Sequence, residues 1–336
     1  MKKIVIVCVL FCFVFAAAFA AGSSASSGPK QVTLRYAHVG IAGESQTRYV
    51  DGFADLVKQK SNGSLIIQVF PNSQLGGANE MTDGIKSGAI SMGHHEFSTL
   101  GKYLSDIAVF NAPYVFKDAK HVVAACNPKT SPVLQRLNEQ LIKVAEVRVL
   151  GVVFRGFRQL SAKFPVYSPA DLQGKKIRGV PADLYMSMLK GMGAIPTPVE
   201  IAELHAALLT GLVDGQENPL TNIRDQRFYE VQSHIMITNH MPSQPCVFIN
   251  ERIWQSLGAE NQRIMMECIA EMTSRSVQWV AEEEAPVRKI MEDYGVEFID
   301  ESKGLRNDLF RQGVNAQIAI DYPNWAPIIR EIQSIR

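Results

Sequence analysis

The sequence predicts an α/β protein with two similar halves and a chain that crosses between them. Strand-like and helix-like segments alternate over residues 32–93, and the same alternation returns over 147–211. A long amphipathic segment follows over 259–284. Alternation of this kind predicts parallel sheets with helices on their faces. About 305 residues remain after the N-terminal segment, which is enough for two such domains.

The first half is predicted to begin with a strand over 32–38, where apolar and polar residues alternate. A helix follows and stops near Gly63, and a second strand covers 65–70. A short helix ending at Gly88 leads to a third strand over 89–93, which runs into His94, His95 and Glu96. The apolar residues that mark the two helices are Tyr49, Phe53, Leu56, Val57, Met81 and Ile85.

The second half repeats this pattern, with strands predicted over 147–154, 174–180 and 296–299. Pro181 suits the first position of a helix that ends near Gly191 and Gly193. A further helix over 200–210 stops at Gly211. Asn218 and Pro219 are expected to open the next helix, and Pro286 to end or kink the long helix over 259–284.

Residues 1–21 are predicted to be a signal peptide cleaved after Ala20, because two lysines precede an apolar run that ends in small residues. The alternatives are an uncleaved membrane anchor, since the run is near the lower length limit for a span, and a lipoprotein cleaved before Cys8 or Cys12. Residues 22–30 form a Ser/Gly-rich spacer. We therefore expect a periplasmic protein.

The formal net charge of +1 implies neither a nucleic acid nor an anionic membrane surface as a partner. Outside the N-terminal segment the cysteines are Cys126, Cys246 and Cys268, without metal-type spacing. We expect three buried thiols, with one disulfide as the alternative. Phosphate-loop, zinc-protease and serine-hydrolase motifs are not found, so neither a cofactor nor an enzyme activity is predicted.

Two arginines and an asparagine lie at predicted strand or helix ends, with 20 residues from Arg158 to Arg178 and 40 from there to Asn218. A guanidinium binds a carboxylate through two parallel hydrogen bonds, so this set suggests an anion-binding site. Each residue has an alternative. Arg178 could pair with Asp183, Arg155 competes with Arg158, and Asn218 could cap a helix.

Polar residues at two other strand ends, His38 and 94–96, are further candidates for a cleft. Adjacent strand residues point to opposite faces, so His94 and His95 are not expected to share a metal ion. Glu96 is a candidate acceptor for ligand hydroxyl groups. His38 is either a cleft residue or a core histidine with its hydrogen bonds satisfied.

At these residues the chain resembles the extracytoplasmic substrate-binding proteins of TRAP transporters, the DctP family. The resemblance covers nearly all of the sequence after the N-terminal segment. The blocks that carry it are NSQLGGANEM (72–81), NAPYVF (111–116), GFRQLSAKFPVYSPADLQGKKIRG (156–179), LLTGLVDGQENPL (208–220), RFYEVQSHIMITNH (227–240) and INERIW (249–254).

The resemblance implies a two-domain periplasmic-binding-protein (Venus flytrap) fold, with a long helix running across both domains. We expect domain I to cover 31–155 and 244–283, and domain II to cover 156–243 and 284–336. The implied partners are a small-molecule carboxylate and the TRAP membrane permease subunits, with the protein acting as a monomer.

The resemblance also implies residue roles. Arg178 would form the main salt bridge to the substrate carboxylate, assisted by Arg158 and Asn218. In sialic-acid-binding members, a glutamate at the place of Glu96 binds substrate hydroxyls and an aromatic residue stands at the place of His94. This chain departs from those members at Thr99, Ile201, His205 and the shifted 179–181 segment.

These departures keep the carboxylate anchor and change the distal pocket, so sialate is not the expected ligand. The distal residues Glu96, His38, His94 and His205 favour a hydroxylated sugar acid such as a hexuronate. A four-carbon dicarboxylate is the alternative within the same kind of system. An exported enzyme and a sensor domain that presents its ligand to a receptor are further alternatives.

Overall fold

A computed structural model describes residues 31–336, which form one compact unit. The predicted signal peptide over 1–21, its cleavage site after Ala20 and the spacer over 22–30 lie outside the described residues. Within the described part, none of the helices combines the length and apolar character that crossing a membrane requires.

The first sheet has five strands in the order β2-β1-β3-β10-β4. These are β1 Val32–Ala37, β2 Leu65–Phe70, β3 Met92–His95, β4 Val147–Val152 and β10 Cys246–Asn250. β1 pairs in parallel with β2 and β3, whereas β10 is antiparallel to β3 and β4. The last strand therefore returns from a distant part of the chain and joins β3 to β4.

The second sheet has six strands in the order β11-β9-β5-β8-β6-β7. The new strands are β5 Arg158–Ala162, β6 Lys176–Gly179, β7 Ile195–Pro198, β8 Gly215–Pro219, β9 His234–Met236 and β11 Glu297–Ile299. β6 is parallel to β7 and β8, and β5 is antiparallel to β8 and β9. Both sheets thus contain the predicted parallel strands together with antiparallel ones that were not predicted.

Helices cover the faces of both sheets. They are α1 Ser45–Lys60, α2 Ala78–Ser87, α3 Ala119–Ala125, α4 Pro132–Ala145, α5 Asp183–Gly191, α6 Ile201–Thr210, α7 Leu220–Asp225, α8 Glu251–Ser256, α9 Gly258–Tyr294, α10 Asn307–Asp321 and α11 Trp325–Ser334. The long helix α9 packs against α1 and β4 and also against α7, so it contacts elements associated with both sheets. The domain boundaries given above stay a prediction.

Several predicted features are confirmed. α2 and α6 end at Gly88 and Gly211, which adopt the left-handed conformation with φ of 83° and 75°. Tyr49, Phe53 and Val57 of α1 are fully buried, as the helical spacing predicts. The three cysteines are free and buried.

Three predicted boundaries are wrong. α5 begins at Asp183 and not at Pro181, because Ala182 has extended backbone and occupies the N-cap position. α9 continues past Pro286 to Tyr294, since a proline interrupts only the hydrogen bond that its own nitrogen would donate and clashes locally. The third strand covers Met92–His95 rather than 89–93, so both histidines belong to it.

Candidate functional site

The strand ends bring the predicted site residues to a common edge. Arg178 is the third residue of β6, Asn218 is the fourth of β8, and these two strands are parallel. β5 is antiparallel to β8, so its first residue, Arg158, pairs with Pro219 at the end of β8. Glu96 directly follows β3 of the other sheet. Open α/β sheets bind ligands at the carboxyl ends of their parallel strands.

One cavity is lined by residues from both sheets and their loops. Its unfilled space is about 480 Å³, part of it continuous with solvent. A space of this size suits a small-molecule ligand. The polar and charged lining residues are Gln46, His94, His95, Glu96, Arg155, Arg158, Arg178, Glu200, Asn218 and Asn222.

Arg178 is buried in this cavity without an acidic partner. Only 2% of the residue is exposed, its Nε donates to the Val199 carbonyl at 2.7 Å, and its buried Nη1 makes no hydrogen bond. Within residues 31–336 no carboxylate lies within 4 Å of its guanidinium, so it does not pair with Asp183. Burial lowers the pKa of Arg178 from 12.5 to about 10, and the group stays charged at neutral pH.

Arg158 is buried as deeply, but Glu217 neutralises it. The Nε of Arg158 lies 2.5 Å from Oε2 of Glu217, and its Nη2 lies 2.8 Å from Oε1. His240 Nε2 is 3.0 Å from the same carboxylate. Burial raises the pKa of Glu217, but Arg158 and the His240 hydrogen bond outweigh burial and hold that pKa below its usual value. This arginine therefore contributes a fixed, locally balanced charge.

Asn218 does not cap a helix, which corrects that alternative interpretation. Pro219 occupies the N-cap position of α7, and no side chain caps it. The Oδ1 of Asn218 instead accepts from Arg158 Nη2 at 3.1 Å, and its Nδ2 donates to Gln216 Oε1 at 2.6 Å. The side chain is thus held beside Arg158 in the cavity wall.

Glu96 also lines the cavity, and protein donors already hold its carboxylate. Ser243 Oγ donates to its Oε1 at 2.7 Å, and Asn111 Nδ2 donates to its Oε2 at 2.9 Å. Arg158 Nη1 lies 3.4 Å from Oε1. This network fixes the position of the carboxylate, and each oxygen can accept more than one hydrogen bond.

The histidines divide into two groups. His94 and His95 line the cavity, whereas His38 and His205 do not. His38 stacks on the His94 ring with 5.3 Å between centroids, so it lies behind the cavity wall, and His205 is a partly exposed residue of α6 beside Phe228. His94 is hydrogen-bonded to Tyr36 and Gln46, at 2.9 and 3.1 Å.

Sequence reasoning missed several residues of the site. One of them is Glu217, which is adjacent to Asn218 in the DGQENP block. A buried arginine needs an acidic partner, and this requirement could have pointed to Glu217. Glu200 and Asn222 line the cavity although nothing in the local sequence marks them. Arg155 also lines the cavity. Arg155 and Arg158 are therefore both residues of the site and not alternatives to each other.

A family model described as bacterial extracellular solute-binding protein, family 7 (DctP), matches residues 36–317. The chain therefore belongs to the DctP family of TRAP solute-binding proteins. Proteins of this family are periplasmic, bind small carboxylate ligands for transport and are not enzymes. The exported-enzyme alternative is wrong.

Individual relatives agree with this assignment. The chain is 29% identical to the C4-dicarboxylate-binding periplasmic protein DctP of Rhodobacter capsulatus, over 79% of this chain and 78% of that protein. A TRAP periplasmic solute-binding protein from Roseobacter denitrificans OCh 114 with bound L-galactonate is 26% identical, with a TM-score of 0.83 and coverage of 91% and 100%. A TRAP periplasmic solute-binding protein from Xanthobacter autotrophicus Py2 with bound β-D-galacturonate is also 26% identical. Its TM-score is 0.82, and the match covers 90% of this chain and 100% of that chain. The expected two-domain periplasmic-binding fold is thereby confirmed.

Proposed function

We propose that this protein binds a small hydroxylated monocarboxylic acid, such as a hexuronate, and delivers it to the membrane permease of a TRAP transporter. The observation that carries the proposal is the buried guanidinium of Arg178, which lines the cavity and has no acidic partner in residues 31–336. Its Nε is held by Val199, so the ligand carboxylate is bound by Nη1 and Nη2. Two parallel charge-assisted hydrogen bonds then complete the guanidinium.

The rest of the cavity suits a polyhydroxylated ligand. The Glu96 and Glu200 carboxylates line it, and ionised carboxylates are acceptors for hydroxyl groups. Nη1 of Arg158 makes only a long contact of 3.4 Å to Glu96 Oε1, so this nitrogen can also donate a hydrogen bond to a ligand oxygen. Similar proteins crystallised with galactonate and galacturonate support the same class of ligand. We expect the exported protein to act as a monomer.

Isothermal titration calorimetry with glucuronate, galacturonate, galactonate and succinate tests the ligand class. We expect micromolar or tighter binding of at least one sugar acid, which corresponds to about −8 kcal/mol or better. Arg178→Met should weaken that binding at least about a hundredfold, because it removes two charge-assisted hydrogen bonds. Arg263→Met, at an exposed arginine of α9, is the matched control and should bind as the native protein does.

Native-like affinity in the Arg178→Met protein would contradict the anchor assignment. Preference for succinate over every sugar acid would contradict the proposed ligand class. Delivery is tested separately, by uptake of the labelled acid into proteoliposomes that contain the permease. Uptake that does not depend on added binding protein would contradict that part of the proposal.

A further inference from the structure

A second buried guanidinium, that of Arg155, lines the same cavity and is not explained by the carboxylate anchor. Arg155 is 7% exposed, and its buried Nε has no hydrogen-bond partner. In the described part of the chain its side chain forms no salt bridge. Its backbone N–H is held by the Ser243 carbonyl at 2.9 Å, so the residue has a fixed position at the cavity wall.

The acidic groups near Arg155 are bound to other donors. Glu44 accepts hydrogen bonds from the side-chain amides of Gln46, Asn222 and Gln226, the last two at 3.1 and 2.5 Å. Asp225 is paired with Arg224 through its Oδ1, which lies 2.6 Å from Arg224 Nε, whereas its buried Oδ2 has no hydrogen-bond partner in the described residues. The hydrogen bonds given above for these acids do not involve Arg155, whose buried Nε–H still lacks an acceptor.

The two unpaired guanidinium groups have different surroundings. Apart from burial, the charged groups that most affect the pKa of Arg178 are Glu217, Arg158 and Glu200. Arg155 instead lies close enough to Glu44, His38 and His94 to change their pKa values. Burial lowers the pKa of His95, and both Arg155 and Arg178 lower it further. The two arginines also come from different segments: Arg178 is on β6 with its Nε bound to the Val199 carbonyl, whereas Arg155 lies between β4 and β5 with its backbone N–H bound to the Ser243 carbonyl.

Asn222 supplies an unpaired acceptor at the wall of the same cavity. The residue is 2% exposed, and its Oδ1 is buried without a partner. Its Nδ2 donates to the Glu44 carboxylate at 3.1 Å. Because a carboxylate accepts hydrogen bonds, the amide nitrogen and not the amide oxygen must face Glu44, and this fixes the orientation of the amide. An unpaired donor and an unpaired acceptor thus line the same cavity.

A hydroxyl group is compatible with both side chains, because it accepts from a guanidinium and donates to an amide oxygen. A carboxylate satisfies only the arginine and is repelled by the amide oxygen. We infer that Arg155 and Asn222 form a second subsite, which binds hydroxyl groups at the end of the ligand remote from its carboxylate. This inference rests on the proposed function and adds the residues that select for hydroxylation at the distal end.

Three acids that differ only at the sixth carbon test the subsite: L-galactonate with a hydroxymethyl group, 6-deoxy-L-galactonate with a methyl group, and galactarate with a carboxylate. Calorimetry should show native binding in the order hydroxymethyl, methyl, carboxylate. Arg155→Met should weaken L-galactonate binding about ten- to a hundredfold, the equivalent of one charge-assisted hydrogen bond, and 6-deoxy-L-galactonate binding less than about threefold. Asn222→Leu should change the same ratio in the same direction.

The outcomes separate the two proposals. If the native protein binds neither the three acids nor any uronate, the proposed function itself is contradicted. If L-galactonate binds and Arg178→Met abolishes binding, but Arg155→Met weakens both galactonates equally or neither, only the subsite is overturned. Native preference for galactarate would also overturn it, because Arg155 would then bind a second carboxylate. Thermal denaturation of the ligand-free variants shows whether each is folded.

Discussion

Replacing Arg178 with methionine should remove ligand binding without destabilising the ligand-free protein. The pKa of this arginine falls from 12.5 to about 10 on folding, because burial disfavours its charged form. The fall corresponds to about 3 kcal/mol of unfavourable free energy for the charged group in the folded state. This cost is present in full at every pH below 10 and disappears only above 12.5, so at pH 7 the substitution removes all of it.

Methionine also removes one favourable contact. The hydrogen bond from Nε of Arg178 to the Val199 carbonyl at 2.7 Å is lost, and an unsatisfied buried carbonyl costs about 1–3 kcal/mol. The net effect is a gain in the free energy of unfolding between zero and about 2 kcal/mol. For a protein of this size, that gain raises the melting temperature by up to about 3 °C.

Arg158→Met is the matched comparison, because both arginines are almost fully buried in the same site. It leaves Glu217 buried without its partner, and breaking a buried ion pair on one side costs about 3–5 kcal/mol. Differential scanning calorimetry of the ligand-free proteins should therefore show opposite shifts for the two variants. Equal losses of stability in both would refute the argument that the charge of Arg178 is uncompensated while that of Arg158 is neutralised.

Two further predictions concern the groups around the anchor. Glu217→Gln should lower the free energy of unfolding by about 3–5 kcal/mol in urea denaturation, whereas the exposed control Glu292→Gln should change it by less than about 0.5 kcal/mol. Burial lowers the pKa of His38 to about 4 and, together with nearby arginines, that of His95 to about 3. The unfolded chain takes up these protons below pH 6.5 and the folded one does not, so stability falls by about 2–3 kcal/mol per histidine between pH 6.5 and 4.5. His38→Phe should reduce the slope of melting temperature against pH, and an unchanged slope would count against this account.

Much of the fold could be predicted from local sequence patterns. Alternating apolar residues mark β1 and β2, and Gly88 and Gly211 end helices because they tolerate positive φ. β10 could not be placed, because its pairing with β3 and β4 depends on contacts about 100 to 150 residues away along the chain. The end of α9 was misplaced for a related reason, since tertiary packing retains a proline that local propensity disfavours.

For the candidate site, sequence could identify residue types but not their partners. Arg158, Arg178, Asn218 and Glu96 line one cavity, although their roles in ligand binding stay predictions. Nothing in the local sequence indicates that Arg158 is neutralised and Arg178 is not. That difference depends on Glu217, which is 59 residues from Arg158 and reaches it through the antiparallel pairing of β5 and β8. His38 is a strand-end residue like the others but lies behind the wall, because its ring stacks on His94.

The pairing of Arg158 with Glu217 has a consequence for how the cleft selects an anion. Glu217 raises the pKa of Arg178 and Arg158 lowers it, so this buried ion pair exerts opposing effects on the neighbouring arginine. The anchor is left with one uncompensated positive charge, and the cost of burying it is carried by the folded protein before ligand arrives. If Arg178 is the anchor, as proposed, a carboxylate that enters the cleft would remove this cost and gain two charge-assisted hydrogen bonds, whereas a neutral polyol would gain neither. The proposed selectivity for acids over neutral sugars would then follow from leaving Arg178 unpaired while neutralising Arg158.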